Sequence, residues 1–153
     1  MELPRVASRL DGAVGLTLES AEDGIATLRL DPGELTVVVE EDREYLHGGA
    51  LATCIDTAAW YATASASPGD WVVSGLQLEG LRLARPEPHR VVASCIRAGR
   101  TRAVVDVEIA SDSEPERVVT VGRVSLIRTP DPPVASRWAN PPARGGSLGA
   151  RRG

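Results

Sequence analysis

"EEDREYLHGGALATCIDTAAWYATAS", residues Glu40 to Ser65, decides the fold. From Gly48 to Ala66 the chain is rich in Ala, Leu, Cys, Ile, Thr and Trp. It holds no proline and no glycine beyond the opening pair, and it stops before "SPGD", residues 67–70. That is the composition of one long helix with a breaker after its end. Its polarity is very low, so most of its circumference is expected to be buried, and its many alanines let it lie close against a sheet. Asp56 is the only carboxylate between Ala50 and Pro68. Either it stands on an exposed edge of the helix, or it is a buried group that must be hydrogen-bonded or put to chemical use.

Outward from this helix the chain reads as strands. Four stretches follow it: 71–84, 89–99, 101–112 and 116–129. The first alternates Leu76 and Leu78, then Leu81 and Leu83 after a slip at Gly80 that suggests a bulge. The third places Val105, Val107 and Ile109 on one face. The fourth places Val119 and Val121 there, with Val124 and Leu126 as further candidates. The links between the last three, "AGR" and "SDSEPE", are short, which predicts an antiparallel meander. Before the helix, "AVGLTLES", "GIATLRLD" and "LTVVVEE" read as further strands, parted by the turn signals "AEDG" and "DPGE". An antiparallel sheet with one central helix is an α+β domain. It is assigned to residues 1–129. Residues 130–153 are rich in Pro, Gly and Arg and read as a disordered tail, in which Trp138 is a candidate docking residue.

The chain has 153 residues, long enough for one domain with a real core. A formal net charge of −4 speaks against a nucleic-acid partner. No apolar run approaches a membrane span, and the N-terminus lacks the apolar core of a signal peptide, so a cytoplasmic location is expected. Cys54 and Cys95 sit in apolar segments and read as free thiols. With two histidines, His47 and His89, and no C-x-x-C spacing, no metal site is expected. All 17 basic residues are arginine, which excludes lysine chemistry such as a Schiff base.

The start of the helix carries its own chemistry. Unpaired N–H groups there amount to a partial positive charge. Gly48 and Gly49 let a ligand approach without a Cβ in the way. A carbonyl oxygen aimed at those groups would be polarised, and the oxyanion formed on attack would be stabilised. Asp56 would then serve as nucleophile or as general base on water.

The run His47-Gly48-Gly49, "ALATCI", Asp56-Thr57-Ala58 resembles the central motif of the hotdog-fold thioesterases of the phenylacetyl-CoA thioesterase (PaaI-like) family. "GLRLARPEP" and "IRAGRTRAVVDVEI" are similar to two later stretches of that family, and the resemblance spans roughly residues 13–128. It implies the hotdog fold, in which a curved antiparallel sheet wraps one long helix. It also implies hydrolysis of an acyl-CoA thioester to free acid and CoA, with no metal or added cofactor. Carried over by position, the Gly48 N–H would polarise the carbonyl, Asp56 would be nucleophile or base, and His47 would orient the site or hydrogen-bond substrate. Gly49 would adjoin the substrate. Ser74, or Val73 one place earlier, would position water. Trp60, with Tyr61 as the alternative, would wall an acyl pocket. Arg82, Arg97 and Arg100, together with Arg85 and Arg102, would meet the phosphates of CoA. Hotdog sites usually lie between subunits, so a homodimer or a tetramer of two dimers is implied.

One position departs from the pattern. Where the family carries an amide six residues before the histidine, this chain has Glu41, followed by Asp42. A protonated Glu41 facing Asp56 would donate as the amide does; two solvated loop charges are the alternative. A hotdog module that binds acyl thioesters without turning them over is therefore the second functional reading, and a dehydratase of the same fold the third.

Overall fold

The computed structural model describes residues 2–129. The tail 130–153, with Trp138, lies outside the described residues. The elements run α1 (Arg9–Val14), β1 (Leu16–Glu22), β2 (Ile25–Leu30), a 3-10 turn (Glu34–Thr36), β3 (Val37–Glu40), β4 (Arg43–Leu46), α2 (Gly48–Ala66), β5 (Trp71–Gly80), β6 (His89–Ala98), β7 (Arg102–Ser111) and β8 (Val118–Arg128). Six strands form one antiparallel sheet in the order β1-β2-β6-β7-β8-β5. β3 and β4 make a separate hairpin. The helix α2 lies across one face of the sheet and touches all six strands. This is the hotdog arrangement expected from the sequence.

Alternation explains which face meets the helix. Leu28 and Leu30 of β2, Val91 of β6, Val105, Val107 and Ile109 of β7, and Val124 and Leu126 of β8 are buried against Ile55, Ala58, Ala59 and Ala62 of α2. Gly122 makes room for Ile55 of the helix: a Cβ there would stand 2.8 Å from Ile55 Cδ1 and Cγ2 and 3.0 Å from the Gln77 carbonyl oxygen. Register shifts in β1, β5 and β6 bend the strands around the helix. At the C-terminal end of α2, Trp71 is buried, donates from Nε1 to the Ser67 carbonyl at 2.8 Å, and lies under the Arg128 guanidinium.

Four expectations are corrected. The bulge in β5 falls at Val73–Gly75, not at Gly80, where the strand ends; Leu81 and Leu83 beyond it are exposed. In β8 a shift opposite Ile109–Ala110 leaves Val119 buried and moves Val121 off the core face. The first strand-like run does not start at Ala13, because residues 9–14 form α1. Finally, "LTVVVEE" is not one strand: it enters the hairpin β3–β4, whose turn is Glu41–Asp42.

Candidate active site

α2 begins where it does because His47 caps it. His47 is extended (φ −62°, ψ 134°), and its Nδ1 accepts from the Gly49 N–H at 2.9 Å. The His47 carbonyl accepts from Ala50 N at 2.9 Å and from Leu51 N at 3.3 Å. Three of the first four N–H groups of the helix are thereby satisfied internally. The Gly48 N–H finds no acceptor among the described residues, and a Cβ at Gly48 would meet nothing within 4 Å. Gly49, by contrast, is required by the cap: a Cβ there would stand 2.9 Å from the His47 ring. So Gly48, rather than Gly49, has the N–H left to offer a ligand. The hairpin fixes this corner, with Leu46 N donating to the Ala84 carbonyl and His47 N to the Thr36 carbonyl.

Two turns on, Asp56 opens into a cavity of about 330 Å3 between α1, α2 and β5, lined by Leu10, Asp11, Thr53, Thr57 and Leu76 among others. In the single chain Asp56 is exposed, on the helix edge at the mouth of this cavity. Its walls nevertheless strip part of its hydration. That desolvation first, and the charge of Asp11 second, hold its carboxyl above the ordinary aspartate range. Asp11 itself is buried and accepts hydrogen bonds from Ser8 Oγ and from Thr57 Oγ1, the latter at 2.6 Å. A larger hollow of about 680 Å3 by β1 is ringed by Glu2, Glu19, Glu22 and Asp23 with Arg5, and holds none of the residues singled out in the sequence.

The other candidates are dispersed. Glu41 sits at the exposed hairpin turn with φ 32°, outside the lining of the Asp56 cavity, so within one chain it does not pair with Asp56. Trp60 is half-buried and meets Tyr61 edge to face, with ring centroids 5.1 Å apart; neither lines the cavity. Tyr61 is a core residue whose hydroxyl donates to the Pro4 carbonyl. Val73 packs on the core, and Ser74 is exposed and donates to the Ser125 carbonyl at 3.1 Å. The arginines split into two sets. Arg82 donates to the Val118 carbonyl and Arg85 pairs with Glu114, at the start of β8. Arg97, Arg100 and Arg102 lie at the β6–β7 hairpin, beside the end of β8, where Arg128 N donates to Thr101 O. Eleven residues of strand separate the two sets, roughly 30 Å. Among the described residues no group of three or more His, Cys, Asp or Glu could hold a metal ion, and no helix is long and apolar enough to cross a membrane.

Asp11 is the residue that sequence reasoning missed. Its signal was present: Ser8-x-x-Asp11 is a capping-box spacing, and Gly15 supplies the left-handed residue (φ 82°) that ends α1.

Residues 44–122, from β4 through α2 into β8, match the family model described as the thioesterase superfamily. The chain belongs to the thioesterase superfamily. A 1,4-dihydroxy-2-naphthoyl-CoA hydrolase of Listeria monocytogenes is 28% identical over 119 residues, 76% of this chain and 93% of that protein. A putative esterase of Halobacterium salinarum is 32% identical over 122 residues, 74% of this chain and 80% of that protein. Among solved structures, the Escherichia coli PaaI protein from the phenylacetic acid degradation operon superposes with a TM-score of 0.70 at 22% identity, covering 80% of this chain and 86% of that one. This thioesterase-superfamily chain therefore shares its fold with PaaI, and its matched segment contains the cap, the Gly48 N–H and Asp56.

Proposed function

We propose that the protein hydrolyses an acyl-CoA thioester to the free acid and CoA, with Asp56 as the attacking carboxylate or as the base that directs water. The observation that carries this reading is Asp56 itself: one carboxylate on an otherwise uncharged helix, opening into a cavity two turns below an uncommitted backbone N–H. The matching family and the Listeria hydrolase support the reaction class.

Spacing says how the two parts cooperate. From Gly48 to Asp56 is eight residues, roughly 12 Å of helix. A thioester carbonyl cannot touch both within one chain. The site therefore pairs Asp56 of one copy with the Gly48 N–H of a second, in a homodimer that can in turn stack into a tetramer. The outer edge of β5 supplies a place to join: among the described residues β5 pairs only with β8, and it lends Leu76 to the cavity. In such a site the N–H polarises the carbonyl and stabilises the developing oxyanion. The carboxylate either attacks the carbonyl carbon, expelling CoA thiolate and leaving a mixed anhydride that water then hydrolyses to the free acid, or takes a proton from a water that attacks the carbon as CoA thiolate leaves. No metal takes part.

Purified protein is tested against a panel of acyl-CoAs, following loss of thioester absorbance, with Asp56→Asn beside the wild type. Turnover that disappears in Asp56→Asn supports the reading; turnover that survives it overturns the site. Glu41 in place of the family's amide favours a second reading, a module that binds acyl thioesters without turnover. Binding of acyl-CoAs with no hydrolysis of any would decide for that one.

A further inference from the structure

Asp11 forms part of the wall of the Asp56 cavity, yet the residue is only 2% exposed. Its Oδ1 accepts from Thr57 Oγ1 at 2.6 Å and its Oδ2 from Ser8 Oγ at 2.5 Å. Among the described residues no arginine or histidine pairs with it. A buried carboxylate without a cation is costly, and an apolar side chain would hold α1 against α2 with less loss. Here the cost is borne directly beside Asp56, through the residue that follows it in the chain.

We propose that Asp11 is a positioning residue for Asp56: it clamps α1 onto α2 through Thr57 and sets a second negative charge against the reacting carboxylate. This rests on Asp56 being that carboxylate. The surroundings leave Asp11 as the one charged neighbour in the lining. α1 faces the cavity with Leu10 and Asp11, β5 with Leu76, and α2 with Ala52, Thr53 and Thr57. Arg9 of α1 and Glu79 of β5 lie outside that lining, and Cys54 of α2 is buried on the core side. A like charge disfavours ionisation, so Asp11 adds to the desolvation that already raises the Asp56 pKa. A carboxylate that holds its proton more tightly is the stronger base and nucleophile once ionised. The clamp also engages the Thr57 hydroxyl, which then does not bond back to the preceding turn and bend the helix at Asp56.

The test is the pH profile of kcat/KM for Asp11→Asn, which keeps the shape and the acceptor for Thr57 but removes the charge. The acidic limb, set by ionisation of Asp56, is expected to move to lower pH, so that just below the wild-type midpoint the variant keeps a larger fraction of its own plateau. A purely structural Asp11 would lower Tm and activity at every pH and leave the limb in place; that result overturns the proposal. If Asp11→Asn does not fold, wild-type protein with 13C-labelled aspartate carboxyls decides. Asp56 is expected to titrate above the ordinary aspartate range, in the direction set by its desolvation and by the neighbouring Asp11 charge. A single unshifted titration overturns the proposal. Failure of the catalytic reading is distinct, because it shows as Asp56→Asn retaining activity, whatever the Asp11 profile does.

Discussion

Replacing Gly48 by proline removes one atom group and little else. Proline at the first position of a helix has the right φ and lacks only the N–H. It requires an extended residue before it, and His47 already has φ −62° and ψ 134°. Beyond its chain neighbours and the backbone of the helix itself, no heavy atom lies within 4 Å of an added Cβ. Stability should therefore change by no more than about 1 kcal/mol. Activity should change far more, because no neighbour can substitute: Gly49 N–H is held by the His47 ring, and Ala50 and Leu51 N–H by the His47 carbonyl. Loss of a single oxyanion donor costs about 100- to 1,000-fold in kcat, and that is the fall expected for Gly48→Pro, with Tm nearly unmoved. Steady-state kinetics on the best acyl-CoA of the panel, with thermal melts at equal protein concentration, measure both. Re-association of Gly48→Pro with Asp56→Asn protomers adds a second readout. Half of randomly formed dimers carry one intact site of two, so about a quarter of wild-type activity should return. A variant that keeps kcat within about threefold of wild type would refute the role of this N–H. A mixture as inactive as its parts would refute the two-copy site.

Gly122→Ala should destabilise by about 1–3 kcal/mol, because its Cβ would press on Ile55 and on the Gln77 carbonyl; in a double-mutant cycle with Ile55→Ala, additive losses in chemical denaturation would contradict this contact. Burial, reinforced by the charge of Asp11, pushes the Cys54 thiol up to about 12, so a thiol reagent at pH 8 should label it only after unfolding; two fast equivalents on the native protein would be the contrary result. Asp56→Asn should raise Tm at pH 7 while removing activity. The folded pKa of Asp56 lies above its unfolded value, so the stability present below the unfolded value, near pH 4, is lost as pH rises through the folded one. The gain over wild type should vanish in acid; an Asn variant that melts lower at every pH would contradict it.

The sequence was legible where one period dominated. α2 spans Gly48–Ala66 as its composition required, and β6, β7 and β8 pair in sequence because three alternating runs are joined by short links. It was illegible where a tertiary contact decides. α1 is only six residues long, too short for any period to show, and it is held by a cap and by the bond from Thr57 to Asp11. The hairpin hides in "EEDRE", where charges occupy strand positions: Glu40 meets Arg43 at 3.1 Å and the Tyr45 hydroxyl at 2.8 Å. The arginines of 82–102 looked like one cluster because sequence proximity does not reveal that consecutive antiparallel strands end on opposite sides. Within the site, the helix start and Asp56 were readable as types, and a second subunit was implied by the resemblance; their separation along the helix axis is the geometric support for the proposed two-copy site.

The small side chains of α2 constrain how such a protein can diverge. Ala58, Ala59 and Ala62 have no exposure at all, so any enlargement there lifts the helix off the sheet and carries Asp56 with it. Ala52 and Thr53, half-buried on the cavity side, together with Leu10 and Leu76, have open space before them. In the proposed site, those four positions can change the shape of the cavity without moving the helix, leaving the rest of α2 as a fixed spindle.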